Sequence, residues 1–183
     1  MHDKRRGGYT LVELLCVLVV LLLVSMLLAV GVRLSVQSYV ESVSCSEAQT
    51  LCSTLTTAVS DELRYSGSLL LDADGTPQAF FSQSYANAED ANGLAGFSQD
   101  ESGHVLLGGN KFLPNKAYPR GLAALVTLTG YDMNTRVFHV RIEVTRNSKV
   151  LAETEFDVQQ LNTPVTYYYT DGTSYAAGSG SGG

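Results

Sequence analysis

Hydrophobic positions follow one another along the chain in three patterns. From Leu14 to Val32 no residue is charged and almost all are apolar, so no polar face breaks the run. A helix apolar all round belongs in a membrane or a deep core. The 24 residues from Tyr9 to Val32, at ~1.5 Å of rise each, cover about 36 Å, against a hydrocarbon core of roughly 30 Å. Beyond Arg33 the apolar residues thin to one stripe, Val36, Val40, Val43, Leu51, Leu55, Ala58, Val59 and Leu63, at spacings of mostly three or four, with Glu47 standing in a stripe position. The spacing predicts that the same helix continues in amphipathic form and ends at Tyr65-Ser66-Gly67, with Gly67 as its cap. Its other face, with Ser42, Ser46, Gln49, Ser53, Thr56, Thr57 and Ser60, is weakly helix-forming and depends on packing and on continuity with the apolar half.

The period then changes. Residues 68–83 read as a short hairpin around Asp74-Gly75, and residues 84–103, rich in Gly, Asn and Asp, as loop. Three strands are predicted after Gly121: Leu122 to Thr129, Arg136 to Thr145 and Val150 to Val158, with turns at Tyr131 to Asn134 and at Asn147 to Lys149. In the second, Phe138, Val140, Ile142 and Val144 alternate with His139, Arg141 and Glu143; in the third, Val150, Ala152, Phe156 and Val158 alternate with Glu153, Glu155 and Asp157. Each has one buried and one wet face, and an antiparallel meander laid on the helix stripe covers both apolar surfaces, an α+β arrangement. Tyr167, Tyr168 and Tyr169 read as a last strand beside that sheet, with a subunit-contact patch as the other option. Ala176 to Gly183 read as a flexible tail.

Charge orients the chain. Lys4, Arg5 and Arg6 precede the apolar run, and after Arg33 no positive residue occurs until Arg64, so the positive-inside rule puts the amino end in the cytoplasm. Residues 34–183 carry eight Lys or Arg against sixteen Asp or Glu, a net charge of −8, which argues against direct nucleic-acid binding except through a local patch such as Lys111, Lys116 and Arg120. The apolar run is longer than a cleaved signal peptide needs, and Ser25 to Ala29 make a poor signal-peptidase site.

One residue does not suit a membrane helix. Glu13 stands at the edge of the apolar run, where a carboxylate costs about 2.5–3.5 kcal/mol on insertion scales at the helix centre and less near the headgroups. It belongs to Gly7-Gly8-Tyr9-Thr10-Leu11-Val12-Glu13, which, followed by an uninterrupted apolar helix, resembles the amino-terminal signature of type IV pilins and pseudopilins. The resemblance implies a pilin-like fold: a leader (1–8), a membrane and assembly helix (9–33), its amphipathic half (34–67), a hairpin and variable loop region (68–121), a β-meander (122–169) and a tail (170–183). It implies cleavage after Gly8 by a prepilin peptidase, a mature and methylated Tyr9, and a Glu13 that pairs with the first-residue amine of a neighbouring subunit. Its implied partners are other pilin or pseudopilin subunits, pilus assembly platform proteins and the cytoplasmic membrane, with the carboxy-terminal domain outside and the assembled product an extracellular filament. The long irregular region from Leu69 to Pro119 favours a minor subunit. Two departures from many major pilins are the absence of a proline midway along the helix, where only Gly31 offers a soft point, and of any cysteine after Cys52.

Other chemistry is sparse. Cys45 and Cys52 lie seven apart on the predicted helix, about 10.5 Å along its axis and too far to pair, so buried thiols are expected, with a link between subunits as the other option. His2, His104 and His139 fall in no zinc spacing. Asp72-Ala73-Asp74-Gly75 begins like a calcium loop, but Pro77 stands where that loop needs glycine and no Glu falls at its twelfth position, so it reads as a turn. No enzyme, cofactor or metal is expected. In another class, the alternative is a signal-anchored surface receptor or binding protein that never assembles; processing at Gly8 separates the two.

Overall fold

A computed structural model of the chain describes residues 10–85, 92–164 and 166–176. They form one long helix, α1 (Leu11–Arg64), and eleven strands: β1 (Leu69–Leu71), β2 (Pro77–Phe81), β3 (Leu94–Ala95), β4 (Phe97–Gln99), β5 (Val105–Leu107), β6 (Asn110–Lys111), β7 (Ala123–Asp132), β8 (Val137–Arg146), β9 (Lys149–Gln159), β10 (Thr166–Tyr169) and β11 (Ser174–Ala176). Two compact units part between Val43 and Ser44.

The first unit is helix alone. Every side chain from Leu11 to Ser42 is exposed, and the segment is long and apolar enough to cross a membrane. Gly31 does not interrupt it; the Ser35 hydroxyl donates to the Gly31 carbonyl at 2.9 Å, a bond made within the helix.

In the second unit the rest of α1 lies against β-structure, giving the α+β, pilin-like arrangement. Its buried face runs through Ala48, Leu51, Cys52, Leu55, Val59 and Leu63. Glu47 lies one position beside that face and reaches Arg120, its carboxylate 3.3 Å from Nε, which explains why an acid could sit in the apolar stripe. On the outer face, Thr50, Thr54, Thr56 and Thr57 each donate a hydroxyl to the carbonyl four residues back, so these weak helix formers are held locally.

The helix ends differently from expectation. Gly67 does not adopt a left-handed conformation, and its N–H donates to the Phe81 carbonyl at 2.9 Å. Ser66 closes the last turn instead, its hydroxyl donating to the Leu63 carbonyl at 2.8 Å. Glycine at 67 answers to packing: a Cβ there would stand 3.1 Å from the Phe81 ring. Gln160, 1% exposed, then secures this end. Its amide donates to the Ser66 carbonyl (3.0 Å), the Ser66 hydroxyl (3.1 Å) and the Gly67 carbonyl (3.1 Å), and its oxygen accepts from the Tyr131 hydroxyl at 2.7 Å.

The meander β7-β8-β9 stands where the alternation places it. Ala124, Val126 and Leu128 of β7 and Phe138, Val140, Ile142 and Val144 of β8 are buried, as is Val158 of β9. Val150 departs from the expected pattern and is 48% exposed: the register slips between Val144 and Thr145, so Ala152 faces Val144 while Val150 faces Thr145, and the alternation breaks there. Asn147 and Ser148 join β8 to β9 with both φ angles positive (49° and 64°), a two-residue turn that matches the strand twist.

Three segments differ from the sequence expectation. Of the stretch read as loop, residues 92–103 hold β3 and β4, and β4 joins β5 and β6 just beyond it in a second sheet, β4-β5-β6, whose strands are too short to show a period. The tyrosine strand β10 does not extend the meander; it pairs in parallel with β1, Leu69 to Leu71 facing Tyr167 to Tyr169, in a sheet ordered β11-β10-β1-β2-β3. The expected tail begins as structure, since Ser174–Ala176 pair with β10 across a turn at Asp171-Gly172.

Candidate processing and assembly segment

Residue types dictate how the helix starts. Thr10-Leu11-Val12-Glu13 has the Thr-x-x-Glu spacing of a capping box. The Thr10 hydroxyl oxygen accepts from the Glu13 N–H at 3.3 Å, and the Thr10 carbonyl accepts from the Leu14 N–H at 3.2 Å. Glu13 therefore occupies the third helical position, where the positive end of the helix dipole favours a carboxylate. The role of Thr10 was legible in that spacing. Glu13, Cys16, Val17, Val20 and Leu21 line one shallow groove on the helix, so the carboxylate heads a face that is otherwise apolar. Gly8 and Tyr9, the expected processing residues, lie outside the described residues.

The structure does not gather the remaining candidates into a second site. Asp72 accepts the N–H groups of Asp74 (3.0 Å) and Thr76 (2.8 Å) and the Gln78 amide (3.1 Å), so its carboxylate builds the turn. His104 stands 3.2 Å from Asp100 and packs at a tilt against the Tyr118 ring, while His139 contacts Asp157 at 2.7 Å on an exposed strand face. Among the described residues no group of three or more His, Cys, Asp or Glu is placed to hold a metal ion. Cys52 is buried, which raises its pKa and keeps the thiol protonated, and Cys45 is half-buried, so the expectation of buried thiols holds fully for Cys52 and in part for Cys45; Cys16 is exposed. Tyr167 and Tyr169 pack against the core, which breaks up the triple-tyrosine patch. In the basic patch, Arg120 is engaged by Glu47 and the Lys111 ammonium donates to Asn115 at 2.7 Å.

The decisive comparison concerns the amino end. Residues 3–29 match the family model described as the prokaryotic N-terminal methylation motif. The chain carries the type IV pilin signature. The matched span includes the Gly8-Tyr9 junction, Thr10, Glu13 and most of the apolar run, and it supports a prepilin that a prepilin peptidase processes and that assembles with other pilin subunits. Motif and helix together support membrane anchoring. No curated protein and no solved structure matches the chain.

Proposed function

We propose that this protein is a structural subunit of a type IV pilus-like filament or of the pseudopilus of a secretion or competence system. It is held in the cytoplasmic membrane with its amino end inside, cut after Gly8, methylated on Tyr9 and assembled through α1. The observation that carries this reading is the methylation motif at residues 3–29, whose part from Leu11 onward lies on a helix with side chains all exposed up to Ser42, while the same helix from Ser44 onward is built into a β-rich head. A helix apolar all round suits lipid in the stored monomer and other helices in the filament. In that role Glu13 and the amine of a neighbouring mature Tyr9 satisfy each other when both leave the bilayer. The irregular region that would favour a minor subunit holds six short strands, β1 to β6, among its described residues, so the reading stays with a filament subunit of either kind.

Intact mass and amino-terminal sequencing of the protein from its own cell test the processing step: Tyr9, N-methylated, is expected at the amino end. A mature chain that keeps residues 1–8 makes it a signal-anchored surface protein instead. Gly8→Glu is expected to leave an uncut precursor, because a bulky residue keeps the backbone from entering the peptidase closely.

A further inference from the structure

β9 is the open margin of the meander. It runs for 11 residues and, among the described residues, β8 is its one strand partner, so half of its main-chain N–H and C=O groups point away from the sheet. Glu153, Glu155 and Asp157 alternate along its outer face, opposite Glu143, Arg141 and His139 of β8. Arg141 is shared among Glu143 (2.9 Å), Glu153 (2.6 Å) and Glu155 (3.8 Å), and the margin keeps a negative excess, with the side chains of Glu155 and Asp157 69% and 68% exposed.

At the other end of the meander, β7 meets β4 and β5, and β6 is the last strand beyond them. Lys111 on β6, together with Lys116 and Arg120 in the two 3-10 turns that follow, is exposed there. One carboxylate, Glu47, offsets Arg120, which leaves Lys111 and Lys116 in excess. The head thus has an acidic margin on β9 of one sheet and a basic margin on β6 of another, the latter sheet packed at β7, the far strand of the meander from β9.

We propose that these margins are the two halves of one head-to-tail contact, the acidic β9 edge of one subunit seating on the Lys111, Lys116 and Arg120 margin of a second copy of this chain. The proposal rests on the filament reading and names the head surfaces that the filament uses. Pairing β9 with β9 sets Glu155 and Asp157 against their own copies and is disfavoured by like charge, whereas β9 on the basic margin joins opposite charges. A contact between two different patches need not close, so it propagates from subunit to subunit. The same row of carboxylates discourages β9 from adding strands indiscriminately, which is the whole of its role if it serves only to protect an edge.

The test uses the full chain with Cys16, Cys45 and Cys52 replaced by Ala, carrying Glu155→Cys and Lys116→Cys singly and together. Sheared fibres and membranes are oxidised with copper phenanthroline and run on non-reducing gels. A ladder of dimers and higher multimers is expected from the double variant in fibres, with each single variant staying monomeric. A double variant that enters fibres without a ladder, or a single variant that dimerises alone, overturns the head-to-tail contact and leaves the filament reading standing. Processed wild-type protein absent from fibres overturns the filament reading, and this one with it. Charge exchange is the second measurement: Glu155→Lys is expected to lower abundance in fibres several-fold and Lys116→Glu to restore it, and failure of that rescue also overturns the contact.

Discussion

Glu13 sits in the first turn of α1 with its own N–H held by the Thr10 hydroxyl, so two roles meet in one residue, a helix-start acid and a docking charge. They separate in Glu13→Leu. If pairing with a neighbour's amine drives docking, the variant is inserted and cut after Gly8 as usual yet is missing from sheared fibres when the native copy is deleted; wild-type abundance in fibres would leave Glu13 with the dipole role alone. Gln160 poses the opposite case, a polar side chain whose partners are all internal. Gln160→Leu leaves the Ser66 and Gly67 carbonyls and the Tyr131 hydroxyl short of a partner in a buried place, and about 3 kcal/mol of stability is expected to go, read by denaturant melts in detergent. The sequence offered no way to see this, because a glutamine at a strand end looks like any solvated polar residue until residues 66 and 131 are brought beside it. The place of Glu13 in the first helical turn, in contrast, was legible, since Thr10, its partner there, is its neighbour in sequence.

At the scale of elements, what could be read was what had length. β7, β8 and β9 run for 10, 10 and 11 residues and display their alternation several times over. β3 and β6 have two residues each and display none, and β10 takes its place from Leu69–Leu71, far away in the chain. Turns between the strands supply two tests. Ser148 holds a φ of 64°, a conformation that costs a residue with a Cβ roughly 1–2 kcal/mol, partly offset because glycine loses more freedom on folding. Ser148→Gly is therefore expected to raise stability by about 0.5 kcal/mol in thermal melts. Asp100, Asp132 and Asp171 each organise a turn, and their folded pKa values are lowered, chiefly by the His104 N–H, the Thr135 hydroxyl and the Thr173 hydroxyl respectively. A lowered folded pKa contributes stability that is present above the ordinary value of 3.8 and is lost as pH falls through the folded value. The melting temperature is expected to hold down to about pH 4 and to fall below it, less steeply in Asp132→Asn; an unchanged slope in that variant would remove its turn from the account.

Over the whole molecule the two units ask for different surroundings. Every buried residue of the apolar core lies at Ala48 or beyond, and none comes from the first unit. A chain beginning at Ser44 is expected to stay in solution without detergent and to melt cooperatively, whereas the full chain is expected to need lipid, detergent or its own kind. Loss of the cooperative melt in the shortened chain would mean that the first unit supports the second. The change from an all-apolar run to a stripe falls at Arg33 in the sequence, ten residues before the seam between Val43 and Ser44, because Val36, Val40 and Val43 continue the stripe in sequence while only residues from Ser44 onward are buried.

The bonds from Gln160 to the end of α1 span 94 positions, and β10 closes on β1 across a similar gap. A ribosome adding roughly 5–20 residues per second makes those partners on the order of ten seconds after it has made the helix. Through that interval the apolar half has already emerged and can enter the bilayer, while the core around Leu51, Leu55, Val59 and Leu63 still lacks Phe138, Val140, Ile142, Val144 and Val158. On the proposed reading, membrane insertion precedes closure of the head, and a chain released early, before Gln160, would be anchored with its core incomplete and the end of α1 unsecured. Such a product is a ready substrate for quality-control proteases, so a nonsense change anywhere between Gly121 and Gln160 should remove the protein from the membrane altogether.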